Sequence, residues 1–220
     1  MKFIGRFIVL AILFANTSYA DTSRPAVKII GDSISKGYLP RVQKLLHEKF
    51  RVSHACGNPK QFNCNNGQTI AILTHLKSYF ASGDPDIITF NSGIHDMSKS
   101  LTALKMPCAT APERVPPERY FQNLSKIADY LKDHAKTVIW VDTTTLPSSL
   151  CAASHLDQYN SIGEKVAHAH GFYILRIDSK FHDKGGIHFT EEGYETLGSQ
   201  VAECITVAWK STETKQCFRN

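Results

Sequence analysis

Beyond its first 20 residues the chain has no hydrophobic run long enough to cross a bilayer, so no stable membrane insertion is expected. It also lacks a basic cluster: 25 Lys and Arg stand against 20 Asp and Glu, and the cations are scattered. A formal charge of +5 distributed in this way argues against a nucleic-acid partner. No CxxC pair occurs, which removes a common zinc-binding pattern. Internal repeats, low-complexity tracts and linkers are missing as well. A chain of this length without them reads as one domain able to bury a sizeable core.

What is present begins with an export signal. Lys2 and Arg6 give a basic start, Phe7 to Ala15 an apolar stretch, and Ser18-Tyr19-Ala20 a small-x-small cleavage site. Cleavage after Ala20 is expected, leaving residues 21–220 as a secreted or periplasmic domain. The mature part keeps 23 basic against 20 acidic residues, a formal charge of +3. Its six cysteines favour disulfides, because oxidising compartments let them persist. Six cysteines allow 15 connectivities. The layout below favours Cys56 with Cys64, Cys108 with Cys151, and Cys204 with Cys217.

Five short apolar, β-rich runs recur: Ala26 to Ile30, Arg51 to Ala55, Ile87 to Asn91, Thr137 to Asp142 and Phe172 to Ile177. Helical patterns lie between them, and that alternation predicts a three-layer α/β/α sandwich around a five-stranded parallel sheet, flavodoxin-like in outline. Pro40 suggests the start of the first helix, with Val42, Leu45 and Leu46 inward. The second is expected over about 69–80 and the third from Pro117. The fourth spans about Leu156 to His170. Thr190 caps the last, which turns Tyr194, Leu197, Val201 and Ile205 toward the core.

In such a fold the carboxyl ends of the strands converge on the site. Polar residues gather there: Ser33 after the first strand, Gly67 after the second, Asn91-Ser92-Gly93-Ile94-His95-Asp96 after the third, and His188 after the fifth. A hydroxyl, an imidazole and several hydrogen-bond donors are the parts acyl transfer requires. Read singly, Ser33 is a helix cap and His188 a loop histidine. Together they read as nucleophile and base.

Gly31-Asp32-Ser33, Gly67, Gly93-Ile94-His95-Asp96 and Gly186-Ile187-His188-Phe189-Thr190 resemble, in order and spacing, the four blocks of the SGNH, or GDSL, hydrolase superfamily. The resemblance implies Ser33 as nucleophile, His188 as base, and an oxyanion hole from the backbone N–H groups of Ser33 and Gly67 together with His95. It also implies an esterase or acylhydrolase that needs no cofactor and acts on a small-molecule or carbohydrate ester; export and a mildly polar loop region make an O-acetyl group on an extracellular or envelope polysaccharide the first expectation. Two positions depart from the family pattern. His95 replaces the usual asparagine, and Gly185 stands where the aspartate that orients the base is expected. Asp183, two residues upstream, is the candidate substitute; without it a Ser–His dyad remains. The departures also open a competing reading, a non-catalytic binding protein of the same fold, and an acyltransferase is a further alternative. His95, Asp96, His182, Asp183 and His188 match no strong metal-binding spacing, so no metal site is expected.

Overall fold

The computed structural model describes residues 23–55, 67–97, 113–147, 151–177, 186–210 and 217. The expected signal segment 1–20, Asp183, and Cys56, Cys64 and Cys108 lie outside them.

Five strands, β1 (Ala26–Ile30), β2 (Arg51–His54), β3 (Ile87–Phe90), β4 (Thr137–Val141) and β5 (Tyr173–Leu175), form one sheet. Their order is β2-β1-β3-β4-β5, and every pairing is parallel. Parallel strands covered on both faces read as continuous apolar runs rather than alternations. Thus β3 is buried at all four positions, and β4 at its last four. Edge strand β2 instead exposes Arg51 and Ser53.

Among the described residues six α-helices flank the sheet: α1 (Ser33–Leu46), α2 (Thr69–Tyr79), the single turn α3 (Ile94–Met97), α4 (Pro117–Asp133), α5 (Leu156–Ala169) and α6 (Glu191–Lys210). On one face α1 packs against α6; on the other α4 packs against α2 and α5. This is the expected three-layer sandwich. Residues from both layers and the sheet, among them Ile29, Phe90, Leu124, Ile139, Tyr159 and Val201, make up the core.

The expected start of the first helix was wrong. It begins at Ser33 and carries Pro40 inside it, because the Asp32 carboxylate caps it, accepting from the Ile34 N–H at 2.9 Å. The earlier start rotates the inner face. Ile34, Tyr38, Val42 and Leu46 are buried, whereas Leu45 faces solvent. The cap expected at Thr190 is present: its hydroxyl accepts from the Gly193 N–H at 3.2 Å. Cys204 and Cys217 form the expected disulfide, with Cα atoms 4.8 Å apart. Cys217 N–H also donates to the Ile174 carbonyl at 3.3 Å, which ties Cys217 to β5 as well as to α6.

Candidate active site

The strand order reverses at β1, whose neighbours are β2 and β3, and ligands of open α/β sheets bind at the carboxyl side of such a switch. There β1 ends at Ile30 and the chain enters α1 within two residues. Asp32 is the cap and Ser33 the first helical residue. Its hydroxyl therefore sits at the positive end of a helix whose first N–H groups have no intrahelical acceptor. Before α6, His188 comes back to the same place. Ser33 Oγ and His188 Nε2 are 2.9 Å apart, a hydrogen bond between residues 155 positions apart in sequence.

Gly67 lies against the turn that leads into Ser33. A Cβ there would approach Asp32 Cβ to 2.9 Å and its backbone nitrogen to 3.4 Å, so the close approach requires glycine. Its carbonyl accepts from Ser92 Oγ at 2.6 Å. Gly93 has a φ of +141°, and a Cβ on it would meet Thr143 Oγ1 at 2.6 Å. That turn brings His95 to the site. His95 Nε2 is 4.0 Å from Asp32 Oδ2, and both atoms are buried with no hydrogen-bond partner among the described residues. Burial lowers the His95 pKa below that of an ordinary histidine; Asp32 opposes the shift, while Arg114 and His188 add to it.

Sequence reasoning took Asp96 as part of a block and gave it no role. It is fully buried, and its carboxyl meets Thr69 Oγ1 at 2.7 Å, Thr69 N–H at 3.1 and 3.2 Å, and Ser92 Oγ at 3.2 Å. Its carbonyl takes the N–H groups of Arg114 and Val115, each at 3.0 Å. Asp96 thereby joins the Gly93 turn to the start of α2, two residues from Gly67. Burial raises its pKa to about 6 against the pull of the Thr69 and Ser92 donors. The available signal was an acidic residue inside an otherwise apolar turn.

A second buried serine–histidine contact, Ser35 Oγ to His54 Nε2 at 2.8 Å, differs in chemistry. Ser35 gives its only proton to the Asp32 carbonyl at 2.7 Å, so His54 is the donor in that pair and no base. Behind the turn a cavity of about 10 Å³, lined by Asp32, Ser35, Tyr38, Asn91 and Asp142 among others, has room for one water. Among the described residues no group of three or more His, Cys, Asp or Glu has the arrangement of a metal site.

Four of the expected site residues, Ser33, Gly67, His95 and His188, thus come together, and Asp183 is outside the described residues. The fold and this cluster define an α/β protein that presents a serine–histidine pair on a helix N-terminus. Residues 29–196 match the GDSL-like lipase/acylhydrolase family, and the chain belongs to it, a family of ester-hydrolysing enzymes. No curated protein matches the chain in sequence. Its fold is similar to that of a lipase/acylhydrolase from Enterococcus faecalis, at 16% identity and a TM-score of 0.62 over 86% of this chain and 98% of that one. It is also similar to Axe2, an acetylxylan esterase from Geobacillus stearothermophilus, at 16% identity and a TM-score of 0.58 over 80% and 91%. An alpha/beta hydrolase enzyme from the metagenome of Lake Arreo, Spain, aligns at 17% identity and a TM-score of 0.61 over 81% and 94%.

Proposed function

We propose that the protein is an exported serine esterase that removes acyl groups, O-acetyl groups on carbohydrate among them, through an acyl-enzyme on Ser33. The observation that carries this reading is the 2.9 Å contact between Ser33 Oγ and His188 Nε2 at the start of α1. Ser33 Oγ attacks the ester carbonyl, its proton passes to His188 Nε2, and the carbonyl electron pair moves onto oxygen. The backbone N–H groups of Ser33 and Gly67 face that oxygen, with His95 as the third member of the hole. His188 then protonates the leaving alkoxide, and in the second half it takes a proton from the water that releases the acid. Asp183 orients the imidazole, or the pair works as a dyad. Because His188 must be neutral to accept the proton, activity falls in acid.

A carbohydrate ester is favoured over a long-chain lipid by the acetylxylan esterase among the structural neighbours and by the exported character of the sequence. The decisive test is hydrolysis of p-nitrophenyl acetate by the mature protein and by Ser33→Ala. Turnover should drop by about 10³-fold or more in a variant that keeps its fold. Equal rates would overturn the acyl-enzyme reading. Acetate release from acetylated polysaccharide, compared with cleavage of long-chain p-nitrophenyl esters, tests the substrate class; preference for the long chains would overturn the carbohydrate assignment.

A further inference from the structure

The contact between Ser35 and His54 takes no part in the mechanism above, yet it ends on the peptide that leads into Ser33. Ser35, in the first turn of α1, donates its hydroxyl proton to the Asp32 carbonyl at 2.7 Å. The same carbonyl accepts the first helical N–H, that of Lys36, at 3.2 Å. An O–H bond of that length is at its usual value and an N–H bond of 3.2 Å is at the long end, so the hydroxyl is the firmer anchor.

His54 completes the arrangement. It is the last residue of edge strand β2, whose Arg51 and Ser53 are exposed, but His54 is 8% exposed and Ser35 2%. Its register partner on β1 is Ile29, and the Ala55 N–H donates to the Ile29 carbonyl at 2.8 Å, so the sheet fixes the ring beside the turn that leaves β1. There His54 Nε2 is 2.8 Å from Ser35 Oγ. Gly31 leaves the room this needs: a Cβ on it would stand 2.8 Å from Ser35 Oγ and 2.9 Å from Ser35 Cβ.

A single hydroxyl proton is shared among these groups. The Asp32 carbonyl can only accept, so the proton belongs to that bond and Nε2 has to be a donor. Burial, with Lys36 acting in the same direction, lowers the His54 pKa to about 4, so the ring is neutral at neutral pH and its one proton is on Nε2. A protonated Nε2 offers the hydroxyl no lone pair, which leaves the carbonyl as its acceptor. The Asp32–Ser33 peptide is trans, and a trans peptide directs its C=O and N–H in opposite senses. A carbonyl held toward the body of α1 therefore aims the Ser33 N–H out of the helix end, where it has no intrahelical acceptor.

We propose that Ser35 and His54 are positioning residues for the oxyanion hole: the His54 Nε2–H steers the Ser35 hydroxyl proton onto the Asp32 carbonyl, which fixes the peptide plane that carries the Ser33 N–H. The proposal rests on the acyl-enzyme reading of Ser33 and His188. Neither residue touches the substrate, and neither transfers a proton in the reaction.

The test is steady-state hydrolysis of p-nitrophenyl acetate, alongside urea unfolding, for wild type, Ser35→Ala, His54→Leu, His54→Gln and the double variant Ser35→Ala/His54→Leu. Both half-reactions pass through an oxyanion, so the loss should fall on kcat while KM stays within about twofold. Ser35→Ala should lower kcat by about 10- to 10²-fold, the order expected for a donor held out of place. His54→Leu should lower it by about tenfold. His54→Gln keeps an N–H donor near the position of Nε2 and should recover most of that loss. Because His54 acts through Ser35 Oγ, the double variant should be no slower than Ser35→Ala.

Wild-type kcat in folded Ser35→Ala or His54→Leu would overturn the proposal, even if the urea midpoint falls, since that is what a purely structural contact gives. Equal rates for His54→Gln and His54→Leu, or losses that multiply in the double variant, would overturn it as well. Nitrogen-15 spectra of histidine-labelled wild type need no substitution: from pH 6 to 8 His54 should be a neutral ring protonated at Nε2, and a proton on Nδ1 instead would overturn the proposal. Ser33→Ala in the same assay separates the two failures. If it keeps its turnover, the acyl-enzyme reading fails; if it is inactive while Ser35→Ala and His54→Leu keep wild-type kcat, only the positioning role fails.

Discussion

Replacing Asp96 with asparagine should stabilise the protein at neutral pH, although it removes a charge that appears well supplied with donors. The reason lies with one proton. Ser92 Oγ has a single hydrogen and two neighbours, the Gly67 carbonyl at 2.6 Å and Asp96 Oδ2 at 3.2 Å. The shorter contact takes it. The longer one is then a hydrogen bond only when Asp96 itself is protonated and donates to Ser92 Oγ. Burial pushes the Asp96 carboxyl up to about 6 against the Thr69 and Ser92 donors, and loss of the Ser92 proton to the Gly67 carbonyl acts in the same direction. Thr69 hydroxyl and N–H still find an acceptor in Oδ1, at 2.7 and 3.1 Å.

The sign follows from linkage. Asp96 titrates near 3.8 in the unfolded chain and near 6 in the folded one, so its contribution is fully present below the first value and is lost as pH rises through the second. With about 1.36 kcal/mol per unit, the loss amounts to roughly 3 kcal/mol, spread over about pH 4 to 6. Asparagine reproduces the protonated acid: its oxygen accepts from Thr69 and its N–H₂ donates to Ser92. Urea unfolding of wild type and Asp96→Asn at half-unit intervals from pH 4 to 8 isolates the term, since every other titration cancels in the difference. The variant should gain on wild type across pH 4 to 6 and keep an advantage of up to about 3 kcal/mol at pH 8. A difference that is constant with pH, or a variant weaker at pH 8, would refute the reasoning. It would mean that the Thr69 and Ser92 donors outweigh burial and hold the carboxylate ionised.

Gly67→Ala should lower kcat/KM by about 10²-fold if its N–H belongs to the proposed oxyanion hole, because a Cβ 2.9 Å from Asp32 Cβ must displace that peptide. Initial rates with p-nitrophenyl acetate check this, and an unchanged kcat/KM would remove Gly67 from the hole. Cys204→Ser should cost about 3 kcal/mol, as expected for a crosslink closing a sequence separation of 13 residues. Urea midpoints of the unreduced proteins measure the loss, and equal midpoints would mean that the bond does not constrain the unfolded chain.

The elements that the sequence made legible are those whose pattern is set by burial. The runs that became β3 and β4 are apolar because helices cover both faces, and α4 repeats Tyr120, Leu124, Ile127 and Leu131 at a helical period because one side faces the sheet. The first helix was misread because two start signals compete within it. Proline favours the first turn of a helix, but a capping carboxylate satisfies N–H groups that would otherwise be orphaned, and here Asp32 sets the start at Ser33, seven residues before Pro40. The candidate site divides in the same way. Ser33, Gly67, His95 and His188 stand in motif blocks that linear spacing exposes. The partners of Asp96 and the facing orphans of Asp32 and His95 depend on rotamers and on which atom is buried, and neither quantity is written in residue spacing.

That division bears on how the pair at Ser33 is activated. Gly185 occupies the place where the resemblance puts the orienting acid, with Asp183 two residues upstream, so the other charges around the pair matter more. At the start of α1 the helix supplies roughly half a positive charge, which favours an oxyanion and opposes an imidazolium. Asp32, 1% exposed and immediately before Ser33, places its carboxyl group at the same helix end. Its two oxygens divide the work: Oδ1 fixes where the helix begins, and hence where Ser33 sits, while Oδ2 looks toward His95. The placement of Ser33 and the environment of His95 are therefore coupled through one carboxyl group. Asp32→Asn, which keeps the first function and changes the second, is the substitution able to separate them.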